Sequence, residues 1–293
     1  MLYKKKWPLV IFLLPGLVMM LVFLFIPFIN NIRFSLYDMT SVVLMPGQEF
    51  KYIGLENYKN LFIDPKIRIA ILNSLKMMGL TVVFQIGTAL LLAIMVDAVK
   101  RGQQFFRIVY FFPIVISATA IGLIFQLFYN YTGGMLNQLR ELLGLEPINW
   151  LAPNIAFIMI SIPILWNYVG FYFVILLTGI NGISDEMYEA AAIDGCSKFK
   201  QVFYITLPLL RGVICTCITL GVTGALKVFD LAWAIVPKGA PQGLTHFLGT
   251  YMYEQTFTIS NYDYGSTIAF LIVIFGVTAS WIVSKIIRPD DNL

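Results

Sequence analysis

Lys227 and Asp230 stand three residues apart inside the apolar run Leu209–Val236. On a helix that spacing places both on one face. An unpaired charge at mid-bilayer costs about 2.5–3.5 kcal/mol on insertion scales, so the two either neutralise each other or border a wet cavity. Counting about 1.5 Å per residue from Pro208 sets Lys227 roughly 29 Å along the axis, near a membrane surface where a lysine can also snorkel. Gln85, Gln126, Asn167 and Trp233 also lie in apolar runs. Each suits packing or hydrogen bonding between helices better than holding substrate. Together with Lys227 and Asp230 they form the candidate lining of a substrate pathway.

A second constellation is the polar stretch "DEMYEAAAIDGCSKFKQVFYITLPLL", Asp185 to Leu210. Ser184 is a good N-cap, and Asp185 and Glu186 follow in the first turn, where the helix dipole favours acids. Met187 to Ala192 reads as a short helix whose Ala190-Ala191-Ala192 run lets another backbone approach closely. Gly195 is suited to a positive φ that stops this helix. From Ser197 an amphipathic turn follows, with Phe199, Val202 and Phe203 apolar, and Pro208 marks entry into the next apolar run. The segment is either a plain connector or a docking element that presents the Glu189 carboxylate to a cationic partner. Short connectors are common, so the residues alone favour the first reading.

Little else could carry chemistry. A single histidine, His246, reads as a solvated loop residue, and three cysteines make neither a zinc site nor a disulfide framework. Only Lys227 and Asp230 approach the titratable cluster that a membrane-embedded enzyme needs, so no catalytic residue is assigned. The chain lacks a G-x-x-x-x-G-K-[ST] phosphate loop, so ATP has no evident site of its own here. A net charge of +4 without a basic face argues against nucleic acid.

The elements that position these residues are membrane helices. The 293 residues are 59% hydrophobic and 12% charged, against roughly 25% charged in soluble domains, and mean hydropathy is +0.80. Runs near the 20 residues of a spanning helix are Trp7–Ile32, Met77–Val96, Phe105–Tyr129, Ile155–Ile180, Leu209–Val236 and Tyr264–Ile287. The expectation is an all-α polytopic protein with six spans and one transmembrane domain, residues 1–293. The first run exceeds the 7–15 residues of a signal h-region and reads as an uncleaved span. Pro15, Pro113 and Pro163 interrupt spans one, three and four. Such breaks are tolerated where neighbouring groups satisfy the freed carbonyls. Lys4, Lys5, Lys6, Lys100, Arg101, Arg107, Lys198, Lys200, Arg211, Lys285 and Arg288 sit on the side expected to be cytoplasmic, with both termini. The 33–68 loop, with five basic residues, dissents; its length and mixed charge weaken it.

Glu189-Ala190-Ala191, Asp194-Gly195 and Ile205-x-Leu207-Pro208 resemble the EAA loop of binding-protein-dependent ABC importer permeases. "SLYDMT", "YIGLENYKNLF", "FFRIVYFFP", "GGMLNQL" and "LKVFD" are similar to the carbohydrate-uptake subgroup, so the likeness runs along nearly the whole chain. Cys196 stands where alanine is usual, and "VPKGAPQGLT" departs from the commoner threonine-glycine-rich form. The resemblance implies a transmembrane subunit of the bacterial-type cytoplasmic membrane with no bound cofactor. It implies a partner ATPase, dimeric and cytoplasmic, that hydrolyses ATP with Mg²⁺ and holds the EAA helix in a cleft. It also implies a second, often non-identical permease, an extracytoplasmic solute-binding protein and a carbohydrate cargo, whether saccharide, polyol or sugar phosphate. The rival is an ion-coupled secondary transporter, but no repeat between the halves supports it.

Overall fold

The computed structural model describes residues 7–39, 50–99 and 102–287. Lys4, Lys5, Lys6, Lys100, Arg101 and Arg288, used above for orientation, lie outside them. Among the described residues the chain is all-α apart from one antiparallel bridge, Tyr37 to Tyr52. The helices are α1 (Trp7–Met20), α2 (Ile26–Phe34), α3 (Glu56–Ile63), α4 (Pro65–Leu80), α5 (Gly87–Asp97), α6 (Gln103–Val115), α7 (Ala118–Tyr129) and α8 (Met135–Leu142). They continue as α9 (Ala156–Ile180), α10 (Asp185–Ile193), α11 (Lys198–Gln201), α12 (Leu207–Leu209), α13 (Arg211–Leu226), α14 (Asp230–Ile235), α15 (Leu248–Tyr253) and α16 (Tyr262–Ile287). Single π turns join α1 to α2, α4 to α5 and α11 to α12. Among the described residues five segments are long and apolar enough to span, and α6 with α7, bent by 87°, makes six when the pair is counted as one span.

Two compact units result. One runs up to Asp64 and takes in Met252–Leu271; the other runs from Pro65 to Tyr251 and takes in the chain from Ile272. In the first, Asn57 Nδ2 donates to Asp263 Oδ2 at 3.0 Å, Tyr264 Oη donates to Asp64 Oδ2 at 2.8 Å, and Ser35 Oγ meets Tyr58 Oη at 2.8 Å. In the second, two apolar cores form. Met77, Ile121, Ile160, Ile164 and Phe247 anchor one, and Ala89, Ala93, Phe173, Leu176 and Leu177 the other.

Prolines are accommodated as the chemistry requires. Pro163 cannot donate to the carbonyl four residues back; that carbonyl, on Met159, accepts from Tyr129 Oη at 2.8 Å. After Pro113 the chain turns extended at Ile116 (ψ 138°), and Ser117 caps α7 by accepting from Ala120 N. Span three is therefore two helices.

Three sequence expectations need correction. Span two reaches back from Met77 to Pro65, giving 33 residues, or roughly 50 Å against a hydrocarbon core of about 30 Å. Pro65 is well placed to begin it, since the first helical position has no bond for its nitrogen to make. The extension explains the second correction. Asn73 donates to the Leu244 and His246 carbonyls at 2.8 and 3.0 Å, walling in the following loop. His246 is thus fully buried at 0% exposure, its Nδ1 3.3 Å from Thr250 Oγ1. Its ring lies where a side chain on Gly239 (φ +64°) would be, 2.5 Å from an added Cβ. Third, span five is not one helix: α13 stops at Leu226, and Lys227 and Asp230 do not share a helical face.

Candidate functional site

The break in span five has local causes. Lys227 N bonds Gly224 O at 3.0 Å, tightening the last turn of α13, and Phe229 takes φ −143°, ψ −68°. Gly249 of α15 lies against the irregular stretch so closely that a Cβ there would be 2.6 Å from Val228 O. Lys227 is the C-cap of α13 and Asp230 begins α14. A cation at a helix C-terminus and an anion at an N-terminus each sit where the helix dipole stabilises them. Irregular backbone at membrane depth is tolerated where it is buried in protein or lines a cavity. Here it lines one.

A cavity of ≈ 320 Å³ opens between α4, the π turn Thr81–Ile86, α9, α13 and α14. Lys227, Asp230, Asn167 and Gln85 all border it, with Tyr168 and Tyr172. Lys227 and Asp230 are exposed, and no ion pair joins them, so mutual neutralisation is not their arrangement. The two amides are largely committed to structure. Gln85 Nε2 donates to Leu165 O at 2.8 Å, and Asn167 Nδ2 donates to Pro113 O at 3.0 Å, a carbonyl at the end of α6. Gln126 and Trp233 do not border the cavity. Gln126 Nε2 instead donates to Ala234 O and Ile235 O at 2.7 and 3.1 Å, tying α7 to α14. Trp233 packs near Phe229, ring centroids 5.9 Å apart.

Sequence reasoning passed over Tyr168, Phe171 and Tyr172 as cavity residues. The available signal was two i,i+4 pairs, Asn167 with Phe171 and Tyr168 with Tyr172, which together fall within an arc of about 140° on α9. Aromatic walls with a separated cation and anion can hold a polyhydroxylated molecule, stacking its apolar faces and bonding its hydroxyls.

The polar segment folds as two short helices about a fixed turn. Ser184 Oγ accepts from Glu186 N at 3.3 Å to open α10, which covers Asp185–Ile193. Gly195 adopts φ +78°. Cys196 N bonds Ala191 O at 2.9 Å and Gly195 N bonds Ala192 O at 3.1 Å, the paired bonds of a Schellman turn. Across the turn Gln201 Nε2 donates to Tyr188 O and Cys196 O, both at 3.3 Å, and Tyr188 Oη lies 3.0 Å from Thr206 Oγ1. The corner is braced on both sides. Glu189, Ala190, Asp194, Gly195 and Pro208 are exposed, while Ala191, Ile205 and Leu207 are half-buried. Ile193 at 87% and Phe199 at 74% exposure stand beside them uncovered by this chain.

Residues 85–290 match the family described as binding-protein-dependent transport system inner membrane component. The chain is 34% identical over 287 residues to the probable ABC transporter permease protein YurN of Bacillus subtilis, covering 96% of both. It is 31% identical over 252 residues to the sulfoquinovosyl glycerol transport system permease protein SmoG of Agrobacterium fabrum, covering 86% of this chain and 82% of that one. Its fold matches a chain of the bacterial alginate ABC transporter, solved in complex with alginate pentasaccharide-bound periplasmic protein, with TM-score 0.84 at 22% identity over 97% and 95% of the two chains. A multi-pass helical protein with a braced polar corner, a cavity beside broken spans, and this match over most of its length belongs to the family of binding-protein-dependent transport system inner membrane components.

Proposed function

We propose that this chain, acting as one transmembrane domain, forms half of the translocation pathway of an ATP-driven importer for a carbohydrate: a mono- or oligosaccharide, or a related polyol or sugar phosphate. The carrying observation is the cavity at the break of span five, where Lys227 and Asp230 face the same space as Tyr168 and Tyr172. SmoG, named for a sugar-derived cargo, supports the substrate class. In this reading a solute-binding protein delivers cargo from outside, a second permease subunit completes the pathway, and both termini lie in the cytoplasm. The braced corner, with Glu189, Ala190, Ala191, Asp194, Gly195, Ile205, Leu207 and Pro208, docks on a dimeric ATPase. That partner binds ATP and Mg²⁺.

Mechanistically, the corner acts as a lever only because its contacts with the ATPase differ between nucleotide states. The rigid Schellman turn passes any displacement of α10 into α11, and from there through α12 into α13, whose far end borders the cavity. The test is purification with the partners followed by uptake into proteoliposomes across a sugar panel. Lys227→Gln and Asp230→Asn are expected to lower uptake at least tenfold while the partners still co-purify. ATP-independent uptake by this chain alone, driven by an ion gradient, would overturn the reading.

A further inference from the structure

The connection between α7 and α9 contains a helix whose three faces meet three different surroundings. At 100° per residue, Leu136, Arg140 and Asn137 of α8 share one arc of roughly 100°. This arc faces protein. Leu136 packs on the first core. Asn137 is fully buried; its Nδ2 donates to Tyr131 O and Ile148 O, both at 3.0 Å, and its Oδ1 accepts from Ile148 N and Trp150 Nε1. Arg140 Nε donates to Glu146 O at 2.8 Å. Gln138 and Glu141 are exposed on a second, polar arc. Met135, Leu139 and Leu142 fall within roughly 60° on the third. They are 49%, 48% and 83% exposed, and past the end of α8 Leu143 at 76% and Leu145 at 49% are exposed as well.

A helix beside a protein and facing only water would carry polar residues on the whole of its free surface. This one divides that surface into an apolar and a polar arc, as an interfacial helix does. Its tethers hold it at the bilayer: Tyr129 ends one spanning element shortly before α8, and Ala156 begins another after it. Arg140 also lies over the Trp150 ring at 6.0 Å, a basic–aromatic pair of the kind found at membrane surfaces.

We infer that α8 is an interfacial anchor whose Leu139–Leu142 strip inserts into the headgroup–acyl boundary of the membrane. It thereby fixes the end of α7, which Gln126 ties to α14 beside the cavity.

The test places single cysteines at Gln138, Leu139, Glu141 and Leu142 in a background of Cys196→Ala, Cys215→Ala and Cys217→Ala. Each full-length variant, labelled with bimane, is purified with its partners and reconstituted in phosphatidylcholine bilayers. Brominated phosphatidylcholine is expected to quench positions 139 and 142 at least twofold more than 138 and 141, with aqueous iodide giving the reverse order. Iodide quenching at all four positions would overturn the anchor in favour of a solvated helix. Protection of 139 and 142 from both quenchers would overturn it in favour of a protein contact.

Discussion

Replacing Gly195 with valine isolates the rigidity of the polar corner from every other property of the chain. Gly195 sits at φ +78°, in the left-handed region. A Cβ built there meets nothing within 4 Å. The first added carbon therefore meets no neighbour, and the backbone conformation carries the main effect. For L-residues that conformation costs roughly 1–2 kcal/mol, and for a β-branched residue it is a genuine outlier. At about 1.4 kcal/mol per tenfold, the native turn loses five- to thirty-fold in population against alternatives that release the Cys196–Ala191 and Gly195–Ala192 bonds. The spans do not depend on this turn, so membrane abundance is expected to stay at the wild-type level. Uptake in proteoliposomes should fall at least fivefold, and ATP hydrolysis by the co-purified partner should no longer respond to cargo-loaded binding protein. Gly195→Asn is the control: asparagine tolerates positive φ, and most activity should survive. Wild-type uptake by Gly195→Val would refute the lever and leave the segment a connector.

Three further outcomes are expected. Glu189→Ala, at an exposed position of α10, should leave the chain inserted but reduce recovery of the ATPase in pull-downs at least tenfold, because the substitution strands a charge on the partner. In the cysteine-free background, a cysteine at Gln138 should react with an impermeant thiol reagent added to intact cells and one at Lys198 should not; the opposite pattern would invert the orientation. Tyr129→Phe removes the donor to the Met159 carbonyl that Pro163 leaves free. A buried unsatisfied acceptor costs about 1–3 kcal/mol, so a lower melting temperature in detergent, read by scanning fluorimetry, is expected.

How much was legible in the sequence depended on whether the signal was local. Five of the six apolar runs fall in segments long and apolar enough to span, the third run is the bent pair α6 and α7, and α9 begins one residue from its expected start, because hydrophobicity is a local signal. The Gly195 turn was readable because an alanine-rich helix, a glycine and a serine cap follow one another in sequence. Residues far apart in the chain decided what was not readable. His246 looked solvated until Asn73 and Ser74 of the extended α4 supplied its walls. Lys227 and Asp230 looked like one helical face because their spacing fits a continuous helix. At the break between them Gly249, a residue of another helix, closes on the Val228 carbonyl, a contact that spacing within span five does not reveal. Apolar content could not distinguish a straight span from a bent one, although Pro113 marked the place.

The amide of Gln126 joins two helices that each follow an irregular joint: α7 after Ile116–Ser117, and α14 after Lys227–Phe229. Gly122 and Ala234 make the same pair touch without a side chain to spare between them. Kinematically α7 and α14 are then a single body hung on two hinges, one leading to α6 and the other to α13. Such a body has fewer independent motions than two free helices, since neither hinge can turn without the other. Stiffening the Ile116–Ser117 joint, which borders no part of the coupling segment, should therefore arrest the Asp230 side of the cavity as effectively as stiffening the break in span five itself.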